Sequence, residues 1–445
     1  MTDLAVIGGG WAGCSAARHA SRRGLRVALF ESAPVLGGRA SSFIDQVSGE
    51  SLDYGQHLFL GAYRETLALL SELGTRPFVA FQQPLSVPYL MADGRLEMLQ
   101  AAALPGPLSL GLGLARFQPW DSAARRLLTL GLRGGCDLWP AYLGHLSKAS
   151  GRISVADWLK RCGQDRRSMA LIWEPMVLAA LNARPEAARL REFLSVLGSG
   201  FLRGGFSASL GMARAPLAKL LHPLSTLLRA QGSEVHVGTA ASRVESLSDG
   251  TWRIHLQGGP RQDCAKLLIA LPARRAVRLL DPSVSGRLGL AQQAGRPQSA
   301  IINIWLWSKV PLLPRPMLAF GPQGDVSAEF HWGFSQAVDG GWRTTVVTSA
   351  ADEIAAFETP ALLSALAGFL ASRGRPFTWE RARVLRERSA TPIFEPGGPE
   401  RIGQATCFPG LALAGDWTET GLPATIEGAV RSGRLAFEAL SFDTR

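Results

Sequence analysis

Five consecutive residues, Asp53 to His57, place a carboxylate, a phenol, a glycine, an amide and an imidazole directly before an apolar segment. An imidazole has a reference pKa of about 6.5 and exchanges protons near neutrality, so His57 is a candidate acid or base. Asp53 is a candidate for orienting or charging it. Strand alternation would place Asp53, Gly55 and His57 on one face and Tyr54 and Gln56 on the other. We therefore expect proton transfer here, with Tyr54 as the lesser candidate donor.

Three glycines near the start of the chain have the spacing of a dinucleotide-binding turn. Gly8, Gly10 and Gly13 form G-x-G-x-x-G between an apolar segment and a segment of helical spacing. The first glycine allows a tight turn, the second lets a pyrophosphate approach the backbone, and the third lets helix and strand pack closely. Glu31 ends the next apolar segment, where a carboxylate can bind ribose hydroxyls. A carboxylate at this place argues against the 2′-phosphate of NADP.

The elements around these residues follow the order that a dinucleotide-binding domain requires. A predicted helix over 11–23 lies between predicted strands at 4–10 and 25–31. Further predicted elements are three strands within 233–256, a strand and helix over 266–280, strands at 300–307, 342–350 and 411–416, and a helix over 424–440. The segment 105–214 is rich in predicted helix. Strands that alternate with helices indicate a parallel sheet.

The composition limits the class of protein. A chain of 445 residues predicts two domains, and 47% hydrophobic with 19% charged residues predicts a folded globular enzyme. The net charge of +11 comes almost wholly from arginine. Either a GC-rich genome or attraction to anionic membrane lipid explains this bias, and nucleic acid is not expected because no basic run is interleaved with aromatic residues.

The cysteines and the hydropathy pattern bear on location. Five scattered cysteines without C-x-x-C predict neither disulfides nor a metal site, and they indicate a reducing compartment such as the cytoplasm. The first residues lack a signal-peptide pattern, and the uncharged stretch 98–115 is broken by two prolines, so we expect no membrane-spanning helix.

The residues after the second predicted strand resemble a flavin signature. The run 36–39, Leu-Gly-Gly-Arg, resembles the signature of the large FAD superfamily of amine oxidases and phytoene-type desaturases. The run 411–416, which ends in Gly415 and Asp416, and the helix after it resemble the closing flavin motif of that superfamily. The resemblance implies FAD and a glutathione-reductase-like FAD fold, in which a Rossmann-type α/β domain is interleaved with an α+β substrate domain.

The resemblance also assigns cofactor contacts residue by residue. It implies that Gly38 and Arg39 approach the cofactor and that Asp416 hydrogen-bonds the ribityl–phosphate region. It implies that the amides of Thr425 and Ile426 meet the flavin ring. It further places Val244 beside the adenine and the Gly55 backbone under the isoalloxazine. The FAD domain is then expected at 1–75, 215–290 and 385–445, and the substrate domain at 76–214 and 291–384.

The run from Asp53 to His57, with the apolar segment behind it, resembles one branch of this superfamily, the hydroxysqualene dehydroxylases of squalene and hopanoid synthesis. The resemblance extends to 173–186 and 411–433, covers nearly the whole chain, and is weakest over 285–400. It implies that a C30 allylic alcohol such as hydroxysqualene loses its hydroxyl as water and receives hydride, giving squalene.

That reaction needs a proton for the leaving oxygen, because hydroxide leaves poorly. We expect His57 to donate it, although His57 could instead only hydrogen-bond backbone near the flavin. An oxidative carotenoid or phytoene-type desaturase is the alternative function. An amine oxidase is disfavoured because Thr425 stands where those enzymes often have an aromatic residue. A non-catalytic flavin or prenyl escort protein is disfavoured by the intact set of cofactor-binding residues.

A C30 hydrocarbon is nearly insoluble in water, so this branch implies exchange of substrate with a membrane. The stretch 104–146 is apolar and contains Trp120 and Trp139, and residues 111–170 contain ten Lys and Arg against four Asp. Tryptophans surrounded by basic residues are typical of segments that lie in the plane of the membrane interface. We therefore expect a peripheral protein on the inner face of the cytoplasmic membrane. The alternative is that this stretch is simply the buried roof of the substrate domain. The electron donor is not predicted.

Overall fold

A parallel five-stranded sheet contains the strand that precedes the glycine-rich turn. The computed structural model describes residues 2–375 and 378–440. In spatial order the strands of this sheet are β10 (Glu234–His236), β2 (Val27–Phe30), β1 (Leu4–Ile7), β14 (Leu267–Ile269) and β20 (Leu411–Leu413). Nearly all of their residues are apolar and buried, as expected for a parallel sheet that is covered on both faces.

Two apolar cores cover this sheet. On one face it packs against α1 (Trp11–Arg22), α9 (Leu217–Ala230) and α14 (Ile426–Ala439). On the other face lie α10 (Ala273–Leu279) and a three-stranded sheet. The three-stranded sheet consists of β11 (Ala241–Ser246), β12 (Trp252–Leu256) and β13 (Arg261–Cys264).

The second large sheet has seven strands. Its spatial order is β19 (Arg381–Pro392), β15 (Gln298–Ser308), β18 (Gly341–Ser349), β17 (Trp332–Val338), β16 (Met317–Phe320), β7 (Ser86–Leu90) and β8 (Leu96–Gln100). Its pairs are antiparallel except for β16 with β7. One core joins it to α13 (Thr359–Ala371), and another joins it to the helices between 107 and 199.

The remaining α-helices and strands of the described chain lie in this region and around the smaller sheets. The helices of this region are α3 (Pro107–Ala115), α4 (Ala123–Leu143), α5 (Val155–Arg161), α6 (Arg166–Ser168), α7 (Glu174–Leu181) and α8 (Leu190–Ser199). The others are α2 (Arg64–Glu72), α11 (Pro282–Arg287) and α12 (Leu290–Ala294). The smaller sheets contain β3 (Ser42–Ile44) with β4 (Ser51–Asp53), and β5 (Leu58–Leu60) and β6 (Val79–Phe81) on either side of β9 (Leu210–Ala213).

The predicted elements of the first sheet are confirmed, as are the two strands at 300–307 and 342–350. All five strands of the parallel sheet come from the three pieces predicted for the FAD domain. The boundary at 385 falls inside β19, which pairs with β15 in the other sheet. The division into domains therefore stays a prediction. Among the described residues no helix is both long enough and apolar enough to span a bilayer.

Candidate active site

A deep cleft follows the carboxyl ends of β1, β2, β14 and β20. It encloses about 3650 Å³, part of which is open to solvent. Most of the residues predicted from the sequence line it, namely Gly8, Gly10, Glu31, Gly38, Arg39, Tyr54, Gly55, His57, Gly415, Asp416, Thr425 and Ile426. Gly13, Asp53 and Val244 are not among the residues that line it. The crevice outside the carboxyl ends of the strands is where open α/β sheets bind ligands.

The glycine-rich turn has the shape that a pyrophosphate requires. A Cβ atom on Gly13 would collide with the Gly8 carbonyl oxygen, so Gly13 is needed for the helix to approach the strand. Gly10 differs, because a Cβ there would meet no protein atom within 4 Å. The space beside Gly10 belongs to the cleft and lies at the N-terminus of α1. Free N–H groups and the helix dipole favour an anion at this place.

The Glu31 carboxylate is held at the edge of the cleft by backbone donors. Oε2 accepts a hydrogen bond from the Gly9 amide at 2.7 Å, and Oε1 accepts one from the Ala33 amide at 2.7 Å. The carboxylate is thus fixed in one orientation, and it lines the cleft. This geometry fits a carboxylate that accepts hydrogen bonds from ribose hydroxyls.

Arg39 joins three distant segments at the wall of the cleft. Its Nη2 pairs with Asp416 Oδ1 at 2.7 Å, and its Nη1 donates to the Ala390 carbonyl at 2.7 Å. The preceding loop lies against the glycine-rich turn, because the Gly37 amide donates to the Gly9 carbonyl at 2.8 Å. The two flavin-type motifs, far apart in the sequence, therefore meet in one place.

The start of α14 also reaches the cleft. Thr425 is the N-cap residue, and its hydroxyl accepts from the Gly428 amide at 3.1 Å. The Thr425 amide donates to the Pro423 carbonyl at 2.8 Å, so the turn already uses one of the two amides predicted to meet the flavin. The Glu427 carboxylate caps α2, where it accepts from the Glu65 and Thr66 amides at 3.0 and 2.9 Å. Glu427 is thus a buried structural link.

The predicted alternation across Asp53 to His57 is wrong. β4 ends at Asp53 and β5 begins at Leu58, so the chain between them is not a strand. The Asp53 carboxylate accepts from the Ser42 hydroxyl at 2.6 Å and from the Leu217 amide at 2.9 Å. It therefore holds the start of α9 and makes no hydrogen bond to His57 in this structure.

His57 lies at the wall of the cleft and is partly buried. Burial, with a smaller contribution from Arg39, lowers the pKa of His57 to about 4. The expectation that it titrates near its reference value is therefore wrong for this structure, and the imidazole is neutral at pH 7. Tyr54 is about one-third exposed, and its ring lies 5.1 Å from that of Phe43.

Gly55 lies close to His57 and to the second sheet. A Cβ on Gly55 would come within 3.8 Å of His57 Nε2 and 3.7 Å of Asn303 Nδ2. Asn303, on β15, donates to the Tyr54 carbonyl at 3.2 Å and so fixes this loop. No sequence pattern pointed to Asn303, because it is one residue of an otherwise apolar strand.

Val244 is not among the residues that line the cleft, and its contact with the adenine stays a prediction. It is 1% exposed, lies on β11 of the three-stranded sheet, forms a bridge with Leu280, and packs in the core between that sheet and the parallel sheet. The end of the cleft beyond Glu31 is instead bordered by residues that include Ser32, Ala33, Pro34 and Val35. The structure therefore does not bring Val244 to the wall of the cleft.

An apolar cavity, which the sequence did not predict, adjoins the cleft. It encloses about 1130 Å³, part of it open to solvent, and aliphatic or aromatic side chains from α3, α7, β5, β7 and β17 line most of it. The cavity and the cleft share six lining residues, which are Leu58, Tyr63, Ala179, Ala180, Trp332 and Thr425. We call these six residues the junction. Residues of the cavity with hydroxyl or charged side chains are Tyr63, Tyr89, Ser199, Thr425, Glu427 and Arg431, of which Tyr63 and Thr425 belong to the junction.

Sequence comparisons find one matching family model and several similar proteins. The model of the family "Flavin containing amine oxidoreductase" matches residues 11–440. The chain is 28% identical to hydroxysqualene dehydroxylase of Rhodopseudomonas palustris, over 97% of this chain and 96% of that protein. It is 27% identical to the protein of the same name from Zymomonas mobilis, over 98% of each. It is 24% identical to 15-cis-phytoene desaturase of Glycine max, over 99% of this chain and 80% of that protein.

Comparison with solved structures supports the fold. Cyclohexylamine oxidase from Brevibacterium oxydans superimposes with a TM-score of 0.70 over 98% of both chains, at 16% identity. Putrescine oxidase bound to putrescine superimposes with a TM-score of 0.69 over 98% of both chains, at 14% identity. At these identities the likeness concerns the fold alone.

Proposed function

The chain belongs to the flavin-containing amine oxidoreductase family, and from that premise we propose that this FAD-dependent oxidoreductase reductively removes the hydroxyl of a C30 allylic alcohol. The substrate would be hydroxysqualene and the product squalene, in hopanoid or related triterpenoid synthesis. The carbon–oxygen bond breaks, the oxygen leaves as water with an added proton, and the carbon receives hydride. The observation that carries this proposal is the apolar cavity, which meets the cofactor cleft at the junction.

The chain's own residues fit FAD along the cleft. The open space beside Gly10 and the N-terminus of α1 would hold the pyrophosphate, and Glu31 would hold the ribose. Arg39 and Asp416 would contact the middle of the cofactor, and Ile426 the ring. When bound, FAD supplies hydride transfer. The protein must bring the substrate carbon to it, exclude water and deliver a proton to the leaving oxygen.

The apolar cavity would bring the substrate carbon to the cofactor and exclude water from it. A hydrocarbon chain inside it would be surrounded by side chains such as Leu60, Leu85, Val87 and Met176. Burial of apolar surface contributes about 25 cal/mol per Å², so a long isoprenoid gains much of its affinity there. The proton source that we propose remains His57, which lies on the cleft side of the junction, next to Leu58.

A test starts with dithionite-reduced enzyme under anaerobic conditions. Addition of hydroxysqualene should restore the absorbance of oxidised flavin and form squalene in equal amounts. Flavin that stays reduced, with no squalene, would overturn the reductive assignment. An oxidative desaturase is the second candidate, favoured by the similarity to phytoene desaturases. It would instead bleach oxidised flavin on addition of a C30 or C40 hydrocarbon.

We also propose that the enzyme takes its substrate from an anionic lipid surface, on the inner face of the cytoplasmic membrane. Exposed apolar side chains of the predicted stretch cluster on α4 and around the start of α3. They are Leu104, Leu108, Leu128, Leu132, Trp139 and Leu143, and we call them the docking surface. Leu132 is 78% exposed and Trp139 is 61% exposed, so the view of this whole stretch as a buried roof does not hold for them.

Two parts of the sequence-based membrane hypothesis need correction. Trp120 is 2% exposed and its indole donates to the Ser168 hydroxyl at 2.9 Å, so it belongs to the core. Arg126 pairs with Asp165 at 2.7 Å, which offsets part of the basic surround. Trp139 and the leucines of α4 remain as the apolar contact, with Arg125 exposed beside them.

Co-sedimentation with phosphatidylglycerol vesicles tests the docking surface. We expect binding at low salt that weakens at high salt, because each nearby basic residue adds about 1 kcal/mol on anionic lipid. Leu128→Ser with Leu132→Ser and Trp139→Ser should abolish it. The matched control changes Val47 and Val326 to serine, since both are exposed apolar residues outside this surface. No binding by the wild type, or equal binding by the triple variant, would contradict the proposal.

A further inference from the structure

Three side chains of the junction can hydrogen-bond a substrate hydroxyl, those of Tyr63, Thr425 and Trp332. Tyr63 immediately precedes α2, and it lines both the apolar cavity and the cleft. The remainder of the shared wall is apolar except for the hydroxyl of Thr425, which already caps α14, and the indole N–H of Trp332, which has no hydrogen-bond partner among the described residues. The hydroxyl of an isoprenoid alcohol bound at the junction would therefore contact the Tyr63 hydroxyl in mostly apolar surroundings.

The surroundings of Tyr63 hold the phenol in place. Thr425 lies beside Tyr63 at the junction, and Thr425 is itself fixed as the N-cap of α14. The Tyr63 backbone is fixed as well, since its amide donates to the Leu60 carbonyl at 2.9 Å and its ring lies 6.5 Å from that of Phe59. The backbone and the aromatic ring of Tyr63 are thus held in place before any ligand binds.

The phenol of Tyr63 is protonated at neutral pH, as an ordinary tyrosine is, and its surroundings favour this state further. Burial and the nearby Glu427 raise the pKa of Tyr63 above its ordinary value. Glu427 is kept in place by Thr66, whose hydroxyl donates to it at 2.7 Å, and Arg431 lies 3.9 Å away. A phenol beside a buried carboxylate keeps its proton at neutral pH, and a protonated phenol is a hydrogen-bond donor.

We propose that the Tyr63 hydroxyl receives the hydroxyl of the substrate at the junction and thereby distinguishes the alcohol from its hydrocarbon product. This inference rests on the proposed function. A site built to hydrogen-bond a ligand hydroxyl disfavours the analogue that lacks it, because the polar group of the site is then left unpaired. The alcohol is retained, and once the carbon–oxygen bond has broken the hydrocarbon loses that hydrogen bond. Tyr63 is therefore a specificity-determining residue that also favours release of product.

Equilibrium binding to oxidised holoenzyme tests this without turnover, since the reductive reaction needs reduced flavin. Hydroxysqualene and squalene are titrated separately, in the same detergent, and the flavin difference spectrum reports each Kd. We expect wild type to bind the alcohol more tightly. Tyr63→Phe should weaken alcohol binding by roughly 3- to 10-fold, the worth of one hydrogen bond, and leave squalene binding within about twofold.

Tyr89→Phe is the matched control, because Tyr89 lines the apolar cavity but not the cleft. Its ratio of alcohol to hydrocarbon affinity should equal that of wild type. Tyr63→Phe that keeps the wild-type ratio, with FAD bound, would overturn the inference while leaving the proposed function standing. Wild type that binds neither ligand, and forms no squalene when reduced, would overturn both.

Discussion

Replacement of Gly10 by alanine is expected to separate cofactor binding from folding. Gly10 has φ −70° and ψ 177°, which alanine adopts without strain, and a Cβ there meets no protein atom within 4 Å. The stability of the apoprotein should therefore stay within about 1 kcal/mol of wild type, since the entropic gain of Gly→Ala and the loss of a glycine N-cap oppose each other. The added methyl group projects into the space assigned to the pyrophosphate.

The expected loss of FAD affinity follows from the cost of overpacking. That cost is about 1 to 3 kcal/mol, which weakens FAD binding by roughly 5- to 150-fold. With FAD at 1,000 times the wild-type Kd, ligand binding stabilises the holoenzyme by about 4.1 kcal/mol, and a 100-fold weaker Kd leaves about 1.4 kcal/mol. Unfolding of 445 residues has an entropy of about 0.9 kcal/mol/K, so the loss corresponds to about 3 °C in Tm.

The assay compares thermal unfolding and flavin occupancy of wild type, Gly10→Ala and Gly13→Ala, each with and without added FAD. Gly10→Ala should match wild type without FAD and fall below it with FAD. Gly13→Ala is the contrasting control, because its Cβ would collide with the Gly8 carbonyl oxygen and damage the fold itself. A Tm with FAD that equals that of wild-type holoenzyme in Gly10→Ala, or an apoprotein as damaged as Gly13→Ala, would refute the reasoning.

The remaining predictions concern charged or titratable groups of the site. Glu31→Arg should purify with little FAD, because the guanidinium removes the acceptor for the ribose and the partner of the Gly9 and Ala33 amides; normal flavin content would contradict this. If His57 delivers the proton with a pKa of about 4, the reduction rate should rise about tenfold for each pH unit lowered from 8 to 5, since the protonated fraction does. His57→Ala should keep FAD, lose this dependence and slow by about 10²-fold, and a flat wild-type profile would exclude His57 as the acid. Asp53→Ala should lower the unfolding free energy by about 1 to 2 kcal/mol through the start of α9, with turnover per bound flavin nearly unchanged; a large loss of turnover would restore a catalytic role.

The sequence predicted the parallel sheet well because the signals there are local. β1, α1 and β2 follow one another with a fixed pattern of glycines and apolar residues, and the carboxylate of Glu31 comes directly after a strand. The same holds for the C-terminal strand, Asp416 and α14. The geometry of such motifs can be predicted from the sequence, because the residues that interact are only a few positions apart.

The rest of the site depends on contacts between distant segments. The partner of Asp53 is the amide of Leu217, and nothing within Asp53 to His57 indicates this. The burial that lowers the pKa of His57, and the meeting of Tyr63 with Thr425 and Glu427, likewise arise from packing of segments hundreds of residues apart. Trp120 and Trp139 have the same residue type in one apolar stretch, and only packing decides that the first is core and the second is exposed.

Helix α3 has residues on both the docking surface and the apolar cavity, so the two are separated by the width of a single helix. Leu108 is 65% exposed on the docking surface, whereas Leu110, two residues later, lines the apolar cavity. A substrate that enters across this helix never becomes a solute in water. The concentration that governs its capture would then be its mole fraction among the lipids, so that diluting the substrate with inert lipid lowers the rate at constant bulk concentration. An apparent KM for this enzyme would accordingly be a mole fraction of substrate in the lipid. Values of KM from different preparations would be comparable only at equal lipid composition.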